Sequence, residues 1–183
     1  MKKTIQKSLS GDVATPVYRL EPISINDIIW LPIKYHLSKM NLQRSLFLTA
    51  FLTYGVGDGV TSVYMMEETS VMRESNPVVR FMYANSGKHG VIVLKIWFTL
   101  VILFIVWIIS RRTNTYWAIN GFLSAITIGG IMAIRANMMA AFGLMPPSPG
   151  YVISTFLFLV ILFVTIGDLL DKLHVSKGAK PHF

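Results

Sequence analysis

The sequence predicts an all-α membrane protein: a four-helix transmembrane bundle preceded by an amphipathic interfacial segment. Three observations carry this. The 183 residues are 53% hydrophobic and only 14% charged, against about 25% charged in soluble domains. The apolar residues gather in four runs, 45–66, 91–110, 116–134 and 151–170, each close to the roughly 20 residues a helix needs to cross the hydrocarbon core. The charges gather at the chain ends and in the short stretches between those runs. Core helices of soluble proteins are seldom this long and this uncharged four times over.

In chain order, residues 1–44 read as a basic cytoplasmic segment. Met1-Lys2-Lys3 is a basic start, but the stretch up to Asp27 has no apolar core of the kind a cleavable signal needs, so the first apolar run acts as its own insertion signal. Ile25, Ile28, Ile29, Trp30, Leu31 and Ile33 stand beside Lys34, His36 and Lys39, with Pro32 breaking any single helix. That pattern suits a segment lying on the inner leaflet, a partly ordered tail being the alternative. Residues 45–172 form the membrane domain and 173–183 a cytoplasmic tail.

Lys and Arg near the spans set the orientation. Lys34, Lys39 and Arg44 precede span 1, Arg111 and Arg112 fill the loop between spans 2 and 3, and Lys172, Lys177 and Lys180 follow span 4. Four spans put all of these on one side. The opposite side holds residues 67–90, of mixed charge, and the uncharged 138–150. Tyr116 and Trp117 suit the inner interface, and Tyr64, Tyr83 and Tyr151 the outer. The expectation is a multi-pass protein of the cell membrane with both termini cytoplasmic. The net charge of +8 then reads as attraction to a lipid bilayer with anionic headgroups and not to nucleic acid.

The external stretch 67–90 has structure of its own. Asn76-Pro77 is a helix start, Asn as cap and Pro in the first turn. Val78, Val79, Phe81 and Met82 follow at helical spacing, and Asn85-Ser86-Gly87 ends a short helix on or in the outer interface. Span 3 carries Gly121, Ala125, Gly129 and Ala133, each four residues from the last. They form one small-residue stripe, which lets helix backbones approach closely in lipid. Gly55 and Gly59 in span 1 share that spacing, so spans 1 and 3 are expected to touch, or one of them to dimerise.

Charges inside spans mark function or a needed pair. Asp58 lies well inside span 1, Lys95 near the outer end of span 2, Arg135 and Asn137 at the outer end of span 3, and Glu74 and Asn76 in the outer loop. All map to the outer half, and two acids against two bases let the group neutralise itself. Thr61 and Ser62, one turn from Asp58, are placed to donate hydrogen bonds to it. Lys95 and Arg135 are long enough to snorkel to the headgroups. Asp58 is too short to do so: it is paired, protonated or hydrated. A structural ion pair with Lys95 is the favoured arrangement, and a proton- or ion-handling role the rival. Asp168 near the inner end of span 4 is expected to pair with Lys172 one turn on.

The run Asp58-x-x-Thr61, then Glu74-x-Asn76-Pro77, then Lys95 resembles a family of small archaeal and bacterial integral-membrane proteins known only as a domain of unknown function. The resemblance covers about residues 45–140. It implies a helical membrane domain and supplies no activity.

Other chemistries find no footing. The absence of cysteine excludes disulfides, thiolate metal sites and cysteine nucleophiles. Asp58-Gly59 resembles the start of an alcohol phosphatidyltransferase signature, but Thr61-Ser62 stands where Ala-Arg belongs and the later paired aspartates are missing. Gly55-x-Gly57-x-Gly59 lies within an apolar span and is no nucleotide loop. His36, His89, His174 and His182 are scattered over both faces, leaving Asp168-x-x-Asp171-x-x-His174 as at most a weak metal patch. No catalytic set, metal site or cofactor is expected. The reading is a non-catalytic membrane scaffold or accessory subunit whose partners are other membrane protein subunits or itself. The alternatives are a small ion- or proton-coupled carrier using Asp58 and an intramembrane lipid-modifying enzyme using Asp58 and Glu74.

Overall fold

The structure, a computed structural model, describes residues 41–113 and 115–176. The interfacial segment expected in 1–44 and the tail expected in 173–183 fall largely outside them. All regular structure among the described residues is helical. Four helices are long and apolar enough to cross a membrane: Leu42–Glu68, Pro77–Arg112, Tyr116–Ala141 and Pro149–Leu173. The chain is a multi-pass membrane protein.

The first span has three parts: α1 (Leu42–Ala50), a π-helical segment (Phe51–Gly57) and α2 (Asp58–Glu68). The Asn41 side chain caps α1 by accepting from the Arg44 amide at 2.9 Å. The hydroxyls of Thr49 and Thr53 then donate back to the carbonyls of Ser45 (3.1 Å) and Thr49 (2.8 Å), a habit that bends helices. Beyond them the ladder slips by one residue, so that the Asp58 amide reaches the Thr53 carbonyl five residues back. One extra residue turns everything after it by about 100° relative to an unbroken α-helix. Asp58, the first residue of α2, takes its direction from that slip.

The second span, α3 (Pro77–Arg112), starts where Asn76-Pro77 predicts: the Asn76 side chain accepts from the Val78 amide at 2.9 Å. Gly87 sits at φ 62°, ψ −161° and separates the short helix from the long arm, a conformation suited to glycine. The third span, α4 (Tyr116–Ala141), runs seven residues past the apolar run 116–134. Arg135 and Asn137 are therefore helical, and the connection starts at 142 and not at 138. It turns through Gly143 (φ 70°), with Leu144 donating to the Met139 carbonyl at 2.9 Å, a glycine-based helix stop. The fourth span belongs to α5 (Pro149–Ser176).

The helices pack side by side in the order α3, first span, α4, α5, with little direct contact between α3 and α4. Spans 1 and 3 do touch, but the small-residue stripe does not mediate it. A Cβ on Gly121 would collide with the Phe163 carbonyl oxygen, and one on Gly129 would meet the Phe156 ring at 2.6 Å. The stripe faces α5, where Gly167 answers it by lying against the backbone of Trp117 and Ala118. The first span meets α4 through Gly130, which lies off the stripe, 2.7 Å from the Tyr54 nitrogen at its Cβ position. Gly55 and Gly59 face α3 instead, against Thr99 and against Ile92 and Lys95. Spacing alone reveals a stripe; which neighbour it meets is set by the phase of the partner.

Candidate functional site: a polar junction of three helices

Asp58 stands where the first span is flanked by α3 and α4. Its Oδ2 receives the Lys95 ammonium from α3 at 2.6 Å, and its Oδ1 receives the Asn137 amide from α4 at 3.0 Å. The same amide donates to Thr61 Oγ1 at 3.2 Å, and that hydroxyl donates to the Gly57 carbonyl at 2.8 Å. The side chains of Lys95 and Asp58 are only 16% and 13% exposed. Local structure explains the fit. α3 lies against the first span here, the Lys95 Cβ standing 3.5 Å from where a Cβ on Gly59 would be. Lys95 is held against the carboxylate and does not snorkel away. In a medium of low dielectric such a pair is favourable only if both charges keep partners and the remaining donors and acceptors are satisfied; Asn137 and Thr61 supply that second layer.

Glu74 forms a separate lock nearby. It is buried. Ser62, fully buried on α2, donates its hydroxyl to Glu74 Oε2, and the Asn76 amide donates to Oε1 at 2.9 Å. Asn76 in turn caps α3. One carboxylate thus fastens the turn after the first span to that span and fixes where α3 begins. A 3-10 turn, Val71–Arg73, precedes it.

The outer-half residues named from the sequence therefore separate into two groups. Asp58, Thr61, Lys95 and Asn137 come together. Glu74 and Asn76 join Ser62 and not Asp58. Arg135 belongs to neither: it is exposed and makes no ion pair among the described residues. Thr61 and Ser62 do not donate to the Asp58 carboxylate as expected; Thr61 reaches only the Asp58 backbone carbonyl, at 3.4 Å. In a helix their hydroxyls find other acceptors, the Gly57 carbonyl for Thr61 and Glu74 for Ser62. The four-charge, self-neutralising cluster is in fact one ion pair, one hydrogen-bonded carboxylate and one free-standing arginine.

At the other end of the spans, Asp168 pairs with Lys172 at 2.6 Å, both side chains well exposed. Asp171 does more. Buried on α5, its two oxygens accept from the backbone amides of Trp117 (2.9 Å) and Ala118 (3.0 Å). Thr115, at the cap position of α4, makes no side-chain cap bond. The carboxylate caps the neighbouring helix, answering both its unpaired amides and its dipole. The sequence offered Asp171 only as part of a weak metal patch and hid its capping role, because nothing local connects it with residue 117. The usable signal was a helix start lacking a good cap, with an unpaired acid on the next span at matching depth. Asn120 was also missed: its amide is buried with neither polar atom hydrogen-bonded. Among the described residues, no group of three His, Asp or Glu side chains is placed to hold a metal ion.

No curated protein and no solved structure matches the chain. The family described as Domain of unknown function (DUF5658) matches residues 49–143. That stretch takes in every residue of the Asp58 junction and of the Glu74 lock and leaves α5 outside. It covers over half of the chain, which belongs to the DUF5658 family.

Proposed function

We propose that this chain is a non-catalytic scaffold or accessory subunit of a larger membrane assembly, held in the cell membrane with both termini in the cytoplasm. The observation that carries the reading is that both oxygens of Asp58 have partners on neighbouring helices, Lys95 at 2.6 Å and Asn137 at 3.0 Å. A carboxylate that carries protons or ions across a membrane works from a water-filled cavity or a relay. Here both oxygens of the carboxylate are spent on holding three helices in register. Glu74 is used in the same way, by Ser62 and Asn76. The orientation rests on the bias of basic residues: Arg44, Arg111, Arg112 and Lys172 flank the spans at one end.

Native mass spectrometry of the chain released from its own membrane in mild detergent tests the reading. The expected result is a mass well above the 20.6 kDa of one chain, with further copies or a second membrane protein in fixed ratio, and no ion flux after reconstitution into vesicles. A solitary chain that conducts protons or ions, with the flux abolished by Asp58→Asn, overturns it in favour of a carrier.

A further inference from the structure

A second feature lies far from Asp58. Because α3 packs on the first span and has little contact with α4, a cleft opens between α3 and the α4–α5 pair. It has a volume of about 500 Å³ and is lined by Ile102, Ile105, Val106 and Ile109 of α3, by Ala118, Ile119 and Phe122 of α4, and by Val164 of α5. Thr115 and Asp168 stand at its polar end. The volume falls in the range of small-molecule sites, roughly 300–1,000 Å³. The seven helical rises from Ile102 to Ile109 give the apolar wall a length of about 10 Å, enough to hold the upper part of an acyl chain.

The charges at the mouth say what headgroup fits. Arg112 lies three residues beyond Ile109 and seven beyond Ile105, so it continues the cleft face of α3. It is exposed and makes no ion pair among the described residues. Arg111 points elsewhere, its guanidinium resting on the Trp107 ring at 5.3 Å. Across the mouth, Asp168 has its charge answered by Lys172 at 2.6 Å. The nearby start of α4 is no anion site, because Asp171 already takes the amides of Trp117 and Ala118. The α3 face that walls the apolar slot therefore continues to an exposed arginine with no ion pair among the described residues, across from an acid already neutralised.

We infer that the cleft between α3 and α5 binds one anionic phospholipid, an acyl chain lying along Ile102–Ile109 and the phosphate on Arg112. The site shares no residue with the Asp58 junction, and its occupancy does not depend on the scaffold reading.

The test is lipid retention by the purified full-length chain, measured by native mass spectrometry during titration with phosphatidylglycerol or with phosphatidylcholine of the same acyl chains. The expected result is one tightly held phosphatidylglycerol, preferred over phosphatidylcholine. Arg112→Gln should lower that preference by about fivefold, the share of one basic residue near an anionic surface. Ile105→Trp, made at an exposed position on the cleft wall, should fill the slot and abolish retention of either lipid. Arg73→Gln, an equal change of charge at the far end, should change nothing. Melting temperatures close to the parent's establish that the variants fold. Equal retention of the two lipids, or retention that survives Ile105→Trp, overturns the inference and leaves only ordinary annular lipid. A second copy of the chain released by Ile105→Trp overturns it in favour of a protein occupant.

Discussion

The Asp58–Lys95 pair makes an unequal pair of predictions from one contact. Lys95→Met leaves a carboxylate at 13% exposure with only the Asn137 amide to answer its charge. Removing one partner of a buried pair costs about 3–5 kcal/mol in soluble proteins. For a chain of this size that is a fall in melting temperature of roughly 6–20 °C, at about 2–4 °C per kcal/mol. Asp58→Asn should cost less. The new amide keeps an oxygen toward Asn137, and the freed lysine has a long stem on which to reach the interface. The double variant, Asp58→Asn with Lys95→Met, should recover much of the loss, with a coupling of about 0.5–3 kcal/mol. The assay is thermal melting in detergent of the parent, both single variants and the double. Strict additivity, or Asp58→Asn proving the more damaging, would refute the reasoning that the lysine exists to neutralise a trapped carboxylate.

Other outcomes follow from contacts on each helix. Gly121→Ala must push against the Phe163 backbone and should destabilise by about 1–3 kcal/mol. Gly59→Ala meets only ordinary contacts at 3.5 Å and should melt near the parent; equal melting of the two variants would show that the stripe does not set the α4–α5 distance. Asp171→Asn keeps one acceptor for the start of α4 but loses the charge. A loss of about 0.5–2 kcal/mol is expected, with faster amide exchange at Trp117 and Ala118 as the local readout. Asn120→Leu removes two buried polar atoms that have no partners and should stabilise the chain by about 1–3 kcal/mol; a drop in melting temperature would point to a partner for that amide.

The architecture is legible from the sequence because lipid permits few solutions. A backbone with no water to bond must satisfy itself, so four apolar runs mean four helices. The start of α3 was equally legible, since Asn76-Pro77 acts through its own neighbours. The Asp58–Lys95 contact could be anticipated from depth: a short acid with no route to water needs a base at its own level. Direction within the membrane plane was not legible. The π-helical segment before Asp58 rotates α2 by an amount that no residue spacing announces. Likewise the span 3 stripe was expected on the first span or at a dimer contact, whereas its Gly121 and Gly129 lie on α5. The roles of Asp171 and Ser62 were not legible because their partners, the amides of α4 and Glu74, become neighbours only once the helices are packed.

The position of Asp58 in the helix order explains why one carboxylate matters so much. In lipid there is no hydrophobic force between helices, so association rests on close packing and on interhelical hydrogen bonds. The first span packs on α3 through Gly55 and Gly59 and on α4 through Gly130, but α3 and α4 barely meet each other. Small residues hold distance well and hold axial register poorly, since a smooth glycine face can slide. A polar tie resists sliding, because a shift of one turn would leave its groups unpaired in hydrocarbon. Asp58 ties Lys95 on one side and Asn137 on the other, at one depth, so a single side chain fixes the register of both neighbours. The π-helical slip is what turns it into the gap between them. Moving the carboxylate by one residue along an uninterrupted helix would rotate it by about 100°, away from one partner or the other. The residue type and the slip in the ladder before it therefore form one device, in which losing either uncouples α3 from α4.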